Sequence, residues 1–132
     1  MRKELRPFIE GSLIHPVIST MLPKNNSNLM AFLSAWMGLK NYDFRGDAGL
    51  QFSINSTSDQ EREIMFNGNS HLLTDISEIG KDLDFPKGRK ITLNFAIAGY
   101  EIDASKLYNL FSPDKFVVKL TPMHKTTNAI IS

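Results

Sequence analysis

The chain contains no cysteine. Disulfides, thiolate metal ligands and cysteine nucleophiles are therefore excluded together. It also lacks a long apolar run: no stretch approaches the roughly 20 consecutive apolar residues of a membrane-spanning helix. Met1-Arg2-Lys3-Glu4-Leu5-Arg6 has none of the apolar character of a secretory signal. A soluble, cytoplasmic chain with no membrane partner is the expectation. Neither sign of charge is in surplus, since 15 basic residues face 14 acidic ones for a net +1. Nothing in that balance requires nucleic acid or an anionic membrane, and the groups Arg2, Lys3, Arg6 and Lys87, Arg89, Lys90 read as solvated surface. No glycine-rich phosphate loop and no nucleophile elbow is present. The three histidines, His15, His71 and His124, have no metal-ligand spacing. Asp43 with Asp47, and Asp82 with Asp84, fall in loops or at a helix end and read as solvated charge.

What is present is enough apolar residue, 42% of 132, for one domain over 1–132. The most informative stretch is Leu50-Gln51-Phe52-Ser53-Ile54-Asn55-Ser56-Thr57-Ser58-Asp59. Leu50, Phe52 and Ile54 alternate with Gln51, Ser53 and Asn55, the period-two pattern of a strand with one apolar and one polar face. Ser58 then caps a helix with Glu61 as the other half of a capping box, and Thr57 is expected to support that cap.

Before this strand, residues 1–10 can form a short helix that Gly11 ends. His15-Pro16-Val17-Ile18-Ser19-Thr20-Met21 reads as a short strand closed by Pro23. Leu29, Phe32, Leu33 and Trp36 mark an amphipathic helix over about 27–39, and residues 40–49 read as a loop. Beyond the strand, a short helix runs from about Ser58 to Met65. Asn67-Gly68-Asn69 is a turn, and Ser70 is expected to cap a helix carrying Leu72, Leu73, Ile76, Ile79 and Leu83. Lys90 to Ala98 is a second long strand, with Ile91, Leu93, Phe95 and Ile97 on one face. Asp103 caps a helix that Pro113 stops, and Phe116 to Thr121 forms the last strand.

Strands that alternate with helices predict a parallel sheet with right-handed crossovers. A doubly wound sheet would be apolar on both faces. Here the second face is small or polar: Gln51, Ser53 and Asn55, then Thr92, Asn94 and Ala96, then Lys119 and Thr121. The expected class is therefore α/β, a partial (half) TIM-like barrel of about four parallel strands with helices on the outer face. The alternative is a self-contained small α/β binding or interaction module whose polar face is covered by a partner or a dimer mate. In either case Ser19, Thr20, Ser53, Asn55, Asn94, Met123 and His124 gather at the carboxyl ends of the strands. Taken singly, such residues also serve as turn and cap formers.

The order of segments resembles the second half of the radical S-adenosylmethionine (SAM) core in enzymes that methylate adenine in ribosomal and transfer RNA. Val17-Ile18-Ser19-Thr20 is similar to that family's strand ending in Ser-Thr. Ser53-Ile54-Asn55-Ser56, with Ser58-Asp59 and Arg62 behind it, is similar to its Ser-Leu-His-Ala strand end. Arg89-Lys90-Ile91-Thr92-Leu93 and Leu120-Thr121-Pro122-Met123-His124 resemble its last two strands. The resemblance covers about residues 12–125 and implies SAM contacts on the adenosine side from Ser19, Ser53, Ile54, Asn55 and His124. Asn55 stands where the family has His, and His124 where it has Asn. The CxxxCxxC loop for the iron-sulfur cluster, the glycine-rich stretch for the methionine end of SAM and the methyl-carrying cysteine have no counterpart here. The resemblance thus implies a fragment, from a truncated or split gene product. An iron-sulfur cluster would then belong to a missing N-terminal half, no catalytic or metal residue to this chain, and an RNA substrate to the parent protein. Alone, the fragment is expected to be inactive.

Overall fold

The computed structural model describes residues 16–122. Within them the order is β1 (Val17–Thr20), α1 (Leu29–Gly38), β2 (Gly49–Ser53), α2 (Asp59–Met65), α3 (Leu73–Asp82), β3 (Ile91–Ile97), α4 (Ala104–Leu110) and β4 (Phe116–Pro122). The expected helix at 1–10, together with His15 and His124, lies outside the described residues.

All three strand pairings are parallel, and the spatial order β1-β2-β3-β4 repeats the order in the chain. The register Ile18↔Leu50, Phe52↔Leu93 and Phe95↔Leu120 puts the apolar residues of neighbouring strands on one face. Leu50, Phe52, Ile91, Leu93 and Phe95 are buried there against Leu33, Trp36 and Met37 of α1, Ile76 of α3 and Leu107 of α4. Each such side chain contributes roughly 1.5–3 kcal/mol by leaving water. Ser19, Gln51 and Thr92 share one row of the opposite face, and Ser53, Asn94 and Lys119 share the next. None of these six is buried, so the helices cover one face of the sheet and leave the other open. This is the α/β arrangement of a partial barrel that the alternation predicts.

Three local features depart from the expectation. Residues 40–49 are not simply a loop: α1 runs on into one π-helical turn, Leu39–Asp43, where the Phe44 amide donates to the Leu39 carbonyl. The wider turn buries Lys40 and Asn41. Lys40 Nζ donates to the Lys87 carbonyl, while Asn41 donates to the Phe85 carbonyl and accepts from the Lys87 amide. Burial, and then the charge of Arg89, lowers the Lys40 pKa. Ser70 does not cap α3, whose first amide, that of Leu73, donates to Asp59 Oδ1 at 2.8 Å. On β4, Val118 and Leu120 point toward the helix side yet stay 43% and 52% exposed, because no described helix covers this edge.

Candidate functional site

β2 delivers Ser53, Ile54 and Asn55 to the carboxyl end of the sheet. Ser53 is half-buried on the open face, and its hydroxyl has no hydrogen-bond partner among the described residues. Ile54 is wholly buried in the core; its amide donates to the Asn94 carbonyl and its own carbonyl accepts from Arg62 Nε. Asn55 adopts φ +67°, a left-handed conformation that asparagine tolerates better than most residues. Its Oδ1 accepts from the Ala96 amide at 2.9 Å, leaving the side-chain nitrogen free to donate. Ser19, two strand residues earlier on β1's open face, accepts from Gln51 Nε2 at 2.9 Å. The structure therefore places Ser19 and Ser53 on one face with Asn55 just beyond, whereas Ile54 faces the core.

The loops behind these residues are tied together more tightly than the sequence reveals. Ser58 caps α2 as expected, its Oγ accepting from the Glu61 amide at 3.2 Å. Glu61 does not complete the reciprocal half of the box. Its carboxylate instead accepts from Ser56 Oγ at 2.6 Å and from the Glu101 amide at 2.9 Å. Thr57 is no part of the cap either: its Oγ1 donates to Glu101 Oε2 at 2.6 Å and accepts from the Asp103 amide. Glu101 also pairs with Lys106 at 2.8 Å. The Lys106 hydrogen bond, followed by that from Thr57, holds the Glu101 carboxyl below its ordinary range, and Glu101 in turn raises Lys106. Thr57, Glu101 and Lys106 escape a reading of sequence because Thr57 and Glu101 lie 44 positions apart. Exposed Ile97 and Tyr100 add an apolar edge to this rim.

Chemically, the rim offers neutral hydroxyl and amide groups over a polar floor, with one carboxylate already paired to lysine. Such groups bind and orient a polar ligand, and no described residue here is poised as a nucleophile. Among the described residues no cluster of three histidine, aspartate or glutamate side chains could hold a metal ion, and no helix is long and apolar enough to cross a membrane. No family model, curated protein or solved structure matches the chain.

Proposed function

We propose that this chain forms the C-terminal half of a radical SAM core and binds the adenosine side of the cofactor. The reading rests on the ordered resemblance of its strand ends to the RNA-adenine methyltransferase family. One structural observation carries it furthest: the Ser53 hydroxyl and the Asn55 side-chain nitrogen, both without a partner among the described residues, lie at the carboxyl end of β2 in a sheet wound in chain order. Both groups, with the Ser19 hydroxyl, suit the hydroxyls and ring nitrogens of a nucleoside. Ile54 takes part through its position in the strand, and His124 follows β4 in sequence. SAM supplies a sulfonium whose reductive cleavage needs an iron-sulfur cluster, and the thiolates for that cluster belong to a separate half carrying CxxxCxxC. In this reading the chain's own work is to bind and orient; RNA is the substrate of the assembled enzyme.

The test is a titration of the full chain with S-adenosylhomocysteine, followed by NMR. The expected outcome is saturable shifts concentrated at Ser19 and at Ser53 to Asn55. Ser53→Ala removes a hydroxyl that has no partner among the described residues, and should weaken binding about fivefold, the net worth of one hydrogen bond of about 1 kcal/mol. Shifts that avoid the open face, or an unchanged affinity in the variant, would overturn the assignment.

A second reading, a self-contained α/β interaction module, is favoured by the apolar surface left bare on β4. Val118, Leu120 and Tyr108 are all exposed there, and they line a groove of about 560 Å³ together with Leu107 and Phe116. Sedimentation separates the two readings: a module should bury this strip in a stable complex without any need for a cluster-bearing half.

A further inference from the structure

The open face holds a concavity that runs from the amino ends of the first three strands to Lys119 on β4. Its volume is about 390 Å³, and residues of all four strands or their starts line it, including Ser19, Gln51, Arg89, Thr92 and Lys119. Lys90 also reaches it, but its ammonium is turned to the Pro113 carbonyl at 2.7 Å. The lining includes three cationic side chains and no carboxylate.

Arg89 lies back over the sheet at Gly49. A Cβ at Gly49 would sit 3.6 Å from the guanidinium carbon and 3.1 Å from Val17 Cγ2. Among the described residues the guanidinium makes one hydrogen bond, at 3.3 Å, to the Asp47 carbonyl, which leaves most of its donors without a partner there. Lys119 has no hydrogen-bond or ion-pair partner among the described residues. A sheet that gathers uncompensated cations around a polar concavity is arranged for an anion.

The sheet's own spacing sets the shape of that anion. Arg89 lies over Gly49, whose row on β3 is that of Lys90, while Lys119 pairs with Asn94. Four residues along the strands and two strands across put the two attachment points about 16 Å apart. A lysine side chain reaches about 6 Å from its attachment point, so the two charges come no nearer than about 10 Å. We infer that the open face binds an extended polyanion, a molecule with phosphate or comparable anionic groups at both ends, held between Arg89 and Lys119 while Ser19, Gln51 and Thr92 hydrogen-bond its middle. The site shares Ser19 with the SAM reading, whereas Arg89 and Lys119 belong to it alone, so a test through those two residues leaves that reading untouched.

The probes are inorganic phosphate, inorganic tripolyphosphate and a short oligoribonucleotide, titrated into the full chain and followed by amide shifts. Tripolyphosphate should bind saturably and at least tenfold more tightly than phosphate, with shifts at Gln51, Thr92 and Lys119. Arg89→Gln and Lys119→Gln, both exposed and therefore expected to melt like the parent, should each abolish that preference. If the oligoribonucleotide binds more tightly still and both variants lose it, the anion is a nucleic-acid backbone; if it binds more weakly, the anion is a small molecule. Absence of saturable tripolyphosphate binding, or binding unchanged in both variants, would overturn the inference.

Discussion

Asn55 reaches across the sheet to Ala96: its side-chain carbonyl accepts the Ala96 amide at 2.9 Å, just after Ile54 and Asn55 have both donated their own amides to Asn94. The side chain thus replaces a strand residue at the point where β2 turns away, and does so from a left-handed backbone. Asn55→Ala should lower stability to urea by about 2–3 kcal/mol, combining a lost hydrogen bond with the strain of a Cβ residue at positive φ. Asn55→Gly removes the strain and only the bond is lost, so it should cost less. Equal losses in the two variants would mean that backbone conformation plays no part.

Gly46 and Gly88 lie where two stretches of backbone pass close together. A Cβ on Gly46 would stand 2.7 Å from the Lys87 carbonyl oxygen, and one on Gly88 would stand 2.7 Å from that of Gly46. Both have positive φ, +88° and +66°. Alanine at either site should destabilise by about 2–4 kcal/mol, since the obstructing atoms are backbone and cannot rotate away. Gly38 provides the opposite case: it is helical, with open space around it, and Gly38→Ala should stabilise by about 0.5–1 kcal/mol. Thermal melts of the three variants check the ordering.

Glu101 gives the rim a dependence on acid. Its folded pKa is lowered, chiefly by Lys106 and then by Thr57, so the unfolded chain takes up this proton at higher pH than the folded one. The stabilisation is complete above the ordinary carboxylate value and disappears as pH falls through the lowered one. Glu101→Gln should therefore melt below the parent at neutral pH and converge with it in acid, once the carboxyl is protonated in the folded state as well. A gap that stays constant across that range would show that the carboxylate charge is irrelevant.

Arg62 is fully buried, with Nε on the Ile54 carbonyl and Nη1 on the His71 carbonyl, while Nη2 has no partner. Burial lowers its pKa, and Phe66 stacks at 5.5 Å. Arg62→Ala would strand two buried carbonyls and leave a void, a loss of about 3–5 kcal/mol. Arg62→Met keeps the volume and sheds the buried charge, so it should retain part of that stability in the same unfolding experiment.

The strands were legible because burial on one face alone writes itself into alternation, as in Leu50-Gln51-Phe52-Ser53-Ile54. Ser58 and Asp103 were legible as caps because a cap bonds its own neighbours two or three residues on. Lys40 and Asn41 were not, for their partners at Phe85 and Lys87 lie more than forty residues away, and nothing in a lysine's immediate surroundings announces that it will be buried. Glu61 shows the same limit at a single residue. Its spacing from Ser58 suits a capping box, yet Ser56 and Glu101 compete for its carboxylate and win. Of the candidate site, the open-face placement of Ser53 was readable from parity. The free hydroxyl was not, because it depends on what neighbouring strands fail to offer.

The identity between chain order and sheet order also bears on how the protein is made. As the polypeptide leaves the ribosome, β2 finds β1 already present, β3 finds β2 and β4 finds β3. Every strand docks on an existing edge, and none must be threaded between two that have already paired. Sequential docking of this kind keeps the pairings as local, and the contact order as low, as a parallel sheet allows, which favours fast folding over chain entanglement.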